Sequence, residues 1–190
     1  MQSTKAQSIE LMPGHQFIFT DVQFFKGLDS RFRNSVFSRT RARIDYGEDS
    51  PDFFSGLYLN HTFNSGLGLS VLGRINNRSA DIDIGPHFYK QTKNLSFFGL
   101  LTISLTDWGV YSWFSILRYR PSLNKTLKLY SSFELFIAMD QSNHLASTQR
   151  LRLGLDYQTY QFGLALNLTE FGNKFEFLNN NFGVFVRKEL

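Results

Sequence analysis

The chain has 190 residues, enough for one domain that buries a core or closes a barrel. Twenty Lys and Arg against 16 Asp and Glu give a net charge of +4, too mild and dispersed to indicate a nucleic-acid-binding face. The absence of cysteine excludes disulfide scaffolds, thiolate zinc sites and cysteine nucleophiles. Aromatic residues make up 16% of the chain, so we expect an unusual surface.

No segment has the roughly 20 consecutive apolar residues that a transmembrane helix needs. The best candidate, residues 95–106, is interrupted by Ser96, Thr102 and Ser104. The first residues, 1–5, lack the basic start and apolar centre of a signal peptide. We therefore expect that the first methionine stands where a leader peptide has been removed.

Apolar and polar residues alternate with a period of two over segments of about ten residues, a pattern typical of transmembrane β-barrels. Turn-forming residues such as Asn64 and Asn76 separate these segments. The predicted strands are 15–25, 35–46, 53–64, 66–76, 80–91, 95–106, 109–120, 126–139, 145–157, 160–170 and 181–190. Within an N-terminal segment, 1–14, residues 6–12 supply one more short strand. Because single-chain bacterial barrels have even strand numbers, we predict one closed antiparallel barrel over 1–190 with twelve strands, or alternatively ten.

The two faces of the predicted strands differ in composition. Their apolar rows carry no charge, whereas the opposite rows combine small polar residues with arginines, as Leu151 and Leu153 alternate with Arg150 and Arg152. A soluble barrel exposes many Lys and Glu on its polar face, but here the lysines lie mostly near strand ends. We therefore predict that the apolar rows face lipid and the arginines face inward, because a sheet in hydrocarbon must close on itself.

Over essentially its whole length, this pattern resembles the outer-membrane β-barrel proteins of Gram-negative bacteria. The last segment, 181–190, is similar to the strand that presents such proteins to the barrel-assembly machinery, with Leu190 in place of the usual terminal aromatic residue. Size and arginine content are loosely similar to small twelve-stranded channels for acidic oligosaccharides. The resemblance implies an outer-membrane location and contact with membrane lipid and lipopolysaccharide.

The polar rows give a candidate lumen lining with ten positive and six negative side chains. Arg39, Arg41 and Arg43 repeat at period two on one strand, about 6.5–7 Å apart, so they repel unless neighbours or an anion intervene. Guanidinium groups suit carboxylate, phosphate or sulfate, and charged rings set ion selectivity in pores. The candidate lumen and selectivity residues are Arg39, Arg41, Arg43, Arg74, Arg118, Arg120, Arg150, Arg152, Arg187, Asp81, Asp83, Glu134 and Asp156; Lys128, Asp21 and Asp45 complete the count.

This lining favours a channel for the passive passage of small anionic or polar solutes. The main alternative is a barrel plugged by arginine–carboxylate pairs, with a structural or binding role. Ten to twelve strands allow both, because they fall between a filled interior and an open pore. A soluble ligand-binding barrel with its apolar face inward and a lipid-modifying barrel enzyme are weaker alternatives.

Catalysis has little support in the sequence. His87 shares a polar row with Asp81 and Asp83, but Asp83 lies about 13 Å away along a strand, too far to orient the imidazole. His61 lies on an apolar row near its strand end, and the segment 141–144 lacks the histidine that barrel phospholipases place two residues before their serine. We expect no enzyme activity and no cofactor. Nor do we expect a metal site, since hard cations need six to eight oxygen ligands.

Overall fold

The structure is a computed structural model that describes residues 5–31, 33–47 and 50–190. Within these ranges no helix is long and apolar enough to cross a membrane. The chain forms strands β1 (Lys5–Pro13), β2 (Phe17–Gly27), β3 (Asn34–Asp45), β4 (Asp52–Thr62), β5 (Leu67–Asn76), β6 (Ala80–Gln91), β7 (Leu95–Ser104), β8 (Val110–Tyr119), β9 (Leu127–Asp140), β10 (Asn143–Tyr157), β11 (Tyr160–Phe171) and β12 (Glu176–Glu189).

Each strand pairs antiparallel with its neighbours in sequence, and β1 pairs with β12 to close the ring. In the closing pair, Ser8 lies opposite Glu189 and Leu11 lies opposite Val186. Closure removes the unpaired strand edges that a sheet cannot expose to hydrocarbon. The prediction of twelve strands is confirmed, with residues 6–12 inside β1, and the ten-strand alternative is wrong.

Hairpin connections join consecutive strands at both ends of the barrel. We call the end at which β1 begins and β12 ends the terminal end, and the opposite end the far end. The terminal end carries the connections 28–33, 63–66, 92–94, 120–126 and 158–159, and the far end carries 14–16, 46–51, 77–79, 105–109, 141–142 and 172–175. Gly47 and Gly66 adopt φ angles of +92° and +89°, which only glycine adopts without strain. Because the connections are short, the interior is lined mainly by strand side chains.

Exposure follows the pleat of each strand. In β5, Leu67, Leu69 and Val71 are exposed, whereas Ser70 and Leu72 are buried inside the barrel. The apolar rows of the other strands likewise point outward, as the sequence predicts. A continuous exposed belt of leucine, isoleucine, valine and phenylalanine around a closed barrel fits hydrocarbon as its surroundings, not water. This belt argues against a soluble barrel with an apolar interior.

The interior is not uniformly polar. Two clusters of buried apolar side chains occupy parts of it, and the sequence analysis did not anticipate their leucine, methionine and phenylalanine members. One cluster contains Met12, Phe17, Phe19, Tyr130, Ala165 and Phe185; the other contains Tyr58, Leu72 and Leu100, with Phe37 and Phe98 against it. The alternation of side chains along each strand places these residues inward, although most of them are as apolar as the residues of the outward rows.

Candidate functional site in the barrel interior

Glu134 of β9 lies at mid-height and binds three arginines. Its Oε2 accepts a hydrogen bond from Arg39 Nη1 at 2.6 Å, and its Oε1 accepts one from Arg41 Nη2 at 2.6 Å. Arg150 of β10, directly opposite Glu134 in the strand register, also donates to Oε1. Asp21 of β2 forms an ion pair with the other edge of Arg39. We call these five residues the Glu134 clamp.

The Glu134 clamp joins opposite walls of the barrel. Strands β3 and β9 lie six strands apart in either direction around the ring, so the pairs of Arg39 and Arg41 with Glu134 cross the lumen. Arg39, Asp21 and Glu134 are 2%, 3% and 6% exposed, so these charges are almost completely shielded from solvent. Buried charges of this kind depend on one another, because loss of one partner leaves the others uncompensated.

Four further candidate arginines have carboxylate partners outside the Glu134 clamp. They are Arg43 with Asp45, Arg74 with Asp81 and Asp83, Arg120 with Asp156 and Glu189, and Arg152 with Glu10. The sequence count of six negative side chains omitted Glu10 and Glu189, so its positive surplus was too large. Glu10 was missed because β1 is short and weakly patterned, and Glu189 because it lies at the last position of β12.

Among the described residues, Arg118 and Arg187 are the two candidate arginines without a carboxylate partner. Arg118 Nη2 donates to Gln23 Oε1 at 3.0 Å, and Arg187 Nη2 donates to the same oxygen at 3.1 Å. Arg187 Nη2 also donates to Ser8 Oγ at 2.7 Å. The Nε atoms of both arginines are buried without a hydrogen-bond partner. We call Arg118 and Arg187 the arginine pair.

A cavity of about 310 Å³ lies on the far-end side of the Glu134 clamp. Arg43 and Asn76 belong to its lining near the rim, and Arg41 and Arg150 belong to its deeper part. We call this cavity the vestibule. The lining also includes the carboxylates of Asp52 and Asp83, and its deeper arginines are those that bind Glu134.

His87 is a buried member of a neutral hydrogen-bond network. Its Nδ1 lies 2.7 Å from Ser70 Oγ and its Nε2 lies 2.9 Å from Thr62 Oγ1. A Cβ atom on Gly68 would lie 2.5 Å from the imidazole, so glycine leaves room for the ring. The two carboxylates that the sequence placed near His87 pair with Arg74 instead. The prediction of a lumen histidine in a network therefore agrees with the geometry.

Sequence reasoning missed Gln23, the residue on which the arginine pair converges. A signal was available, since Gln23 follows Asp21 at period two and therefore points inward. Its amide also donates from Nε2 to Asp21 Oδ2 at 2.9 Å, so it connects the arginine pair with the Glu134 clamp. The sequence analysis considered the charged inward residues and omitted this neutral amide, although it bonds to both the arginine pair and Asp21.

No family model and no curated protein sequence matches this chain. Solved structures do match it. A structure of KdgM porin aligns with a TM-score of 0.57 and 10% sequence identity, covering 97% of this chain and 99% of that chain. A structure titled KdgM porin in complex with disordered oligogalacturonate aligns with a TM-score of 0.52 and 11% identity, with the same coverage. At this identity the likeness shows a common barrel fold.

Proposed function

We propose that this chain is an outer-membrane channel for the passive passage of small solutes, with a preference for anions. The observation that carries the proposal is the vestibule, whose deeper lining includes the guanidinium groups of Arg41 and Arg150. Fixed positive groups at a constriction attract anions and repel cations. The fold shared with KdgM porin supports a channel, and the oligogalacturonate named with one of those structures supports acidic solutes.

The Glu134 clamp is the constriction of this channel. Passage requires that Glu134 and the arginines exchange partners, so that a solute carboxylate or phosphate takes the place of Glu134 on Arg41 and Arg150. Guanidinium groups accept such an exchange because they bind all these oxyanions through the same donor geometry. Neutral small solutes and inorganic ions use the same path without forming lasting contacts.

The location that fits this function is the outer membrane of a Gram-negative bacterium. The outward apolar rows contact lipid, and the polar rims contact lipid headgroups and lipopolysaccharide. Strand β12, which ends in the closing pair with β1, presents the chain to the barrel-assembly machinery. The proposal assigns no enzyme activity, cofactor or resident metal to the barrel.

The test is ion selectivity in planar bilayers with a KCl gradient. The wild type is expected to show an anion-selective reversal potential, and Arg41→Glu is expected to shift it toward cations. Lys93→Glu, the same charge change in an exposed turn at the terminal end, serves as the control and is expected to leave the reversal potential unchanged. No conductance in either polarity would overturn the channel, and unchanged selectivity in folded Arg41→Glu would overturn the role of the arginine.

A plugged barrel with a structural or binding role is the second candidate, and the Glu134 clamp is the observation that favours it. The variant Glu134→Gln separates the two functions. Conductance in the wild type supports the channel. Conductance that appears only in Glu134→Gln shows that the clamp seals the barrel, and the absence of conductance in both supports a structural role.

A further inference from the structure

The arginine pair differs from the other candidate arginines in the chemistry of its acceptor. Seven of the nine candidate arginines are held by carboxylates. Arg118 and Arg187 share one neutral amide oxygen, that of Gln23. Both guanidinium groups therefore keep their full charge at close range, and both keep an unused buried Nε donor. Such an arrangement calls for a negative group that the chain itself does not supply.

The carboxylates near the arginine pair are already engaged, including Glu10, which lies opposite Arg187 in the strand register and pairs with Arg152. Asp21 and Glu134 both have charge interactions with the pair, but their short hydrogen bonds go to the arginines of the Glu134 clamp. Gln23 donates its amide to Asp21 and turns its oxygen toward the pair. The amide thus separates a neutralised region at mid-height from a cationic one beside it.

The arginine pair lies near the terminal end of the barrel. Arg118 is the penultimate residue of β8 and Arg187 is the third residue from the end of β12, and both strands end there. Strands β2 and β8 lie six strands apart around the ring, so the contact between Gln23 and Arg118 spans the lumen. Arg187 is 7% exposed, whereas Arg118 is only partly buried and gives access to the site.

We propose that the arginine pair binds one oxyanion group, a carboxylate, sulfate or phosphate, that enters from the terminal end. The two guanidinium groups and the Ser8 hydroxyl supply the donors. This inference rests on the proposed function and deepens it, because a saturable anion site makes passage a binding step as well as a diffusive one. The site lies apart from the vestibule, on the other side of the Glu134 clamp.

The experiment is isothermal titration calorimetry of the full barrel folded in detergent, with sodium sulfate as the ligand and sodium chloride at the same ionic strength as the reference. Arg118→Gln and Arg187→Gln are each expected to weaken sulfate binding at least tenfold. Lys93→Gln is the control, because it removes the same charge from an exposed turn at the same end of the barrel. It is expected to change the affinity less than twofold.

A second variant keeps both arginines. Gln23→Glu places a carboxylate between them, so sulfate binding is expected to disappear while far-ultraviolet circular dichroism shows unchanged strand content. Equal weakening by Lys93→Gln and Arg118→Gln, or no sulfate binding by the folded wild type, would overturn the site. Binding in detergent does not require conduction. Sulfate binding without ionic current would therefore overturn the proposed channel and support the anion site. Ionic current without sulfate binding would support the channel and overturn the anion site.

Discussion

The Glu134 clamp and the arginine pair both cross the lumen between opposite walls, but they use different acceptors. In the clamp, two carboxylates from opposite walls bind three arginines and offset two of their three charges. In the arginine pair, a neutral amide receives two arginines and leaves their charge uncompensated. The identity of one bridging residue therefore decides whether lumen arginines are paired with carboxylates or keep their charge.

The largest effect is expected from Glu134→Gln, which leaves three guanidinium groups with one remaining carboxylate, Asp21. We expect the free energy of unfolding to fall by about 3–5 kcal/mol, the range for removing one partner from buried ion pairs. Urea titration of the barrel in detergent measures it. Glu176→Gln, an exposed carboxylate on β12, is the control and is expected to have little effect. A fall below about 1 kcal/mol would mean that the clamp does not hold the walls together.

A direct comparison of Arg39→Gln with Arg118→Gln tests whether the arginines of the two regions contribute differently to the free energy of unfolding. Arg39→Gln removes the partner of two buried carboxylates and is expected to lower the free energy of unfolding by about 3–5 kcal/mol. Arg118→Gln removes one of two repelling charges, so we expect a change within about 1 kcal/mol of either sign. Urea titrations of the two variants in the same detergent provide the measurement. Equal losses of unfolding free energy in the two variants would contradict the difference between the clamp and the arginine pair.

The neutral hydrogen-bond network of His87 gives a reference for the stability effects at the Glu134 clamp and the arginine pair. His87→Ala removes one hydrogen-bond partner from the buried Ser70 hydroxyl, which keeps its bond to Asn60, and one from the half-buried Thr62 hydroxyl. We expect a loss of about 1–3 kcal/mol in the free energy of unfolding. The loss of unfolding free energy should be the same at low and at high KCl concentration, because these hydrogen bonds involve no charge. Sulfate, in contrast, should stabilise only barrels with an intact arginine pair.

The smallest effect is expected in the turn 28–33 at the terminal end. Backbone N–H groups of Asn34, Arg33 and Arg31 donate to Asp29 and hold the pKa of its carboxyl below the ordinary value of 3.8. A lowered folded-state pKa stabilises the fold above pH 3.8, and this stabilisation is lost as the pH falls through the lowered pKa. The melting temperature of Asp29→Asn should therefore lie slightly below that of the wild type at pH 7 and converge with it in acid.

Much of the fold followed from local sequence signals. Alternation and turn residues predicted the strands to within a few residues, except that the last strand begins at Glu176 and not at residue 181. A shift of register between Thr169 and Glu170 explains part of that miss, because the irregular pairing breaks the alternation there. The inward apolar clusters around Phe185 and Leu100 were missed because a leucine or phenylalanine carries the same signal on either face.

The inward direction of the candidate residues could be predicted, but not their partners. Arg39 pairs with Glu134, 95 residues away in the chain, and Arg118 meets Gln23 across the same separation. Period-two alternation fixes which face of a strand a side chain occupies and says nothing about which strand lies opposite. The sequence therefore could not show that carboxylates pair with most of the arginines. It predicted excess positive charge along the whole lining, whereas the candidate arginines without a carboxylate partner are Arg118 and Arg187 among the described residues.

The sequence by itself determined that this chain closes into a barrel with apolar residues outside and arginines inside, because strand periodicity and turn chemistry act over a few neighbouring residues. Only the tertiary structure decided which charges meet. Ring closure with twelve strands brings β3 to face β9 and β2 to face β8, at a distance that long side chains can span. That global geometry brings three arginines to Glu134 and leaves Arg118 and Arg187 on the neutral amide of Gln23.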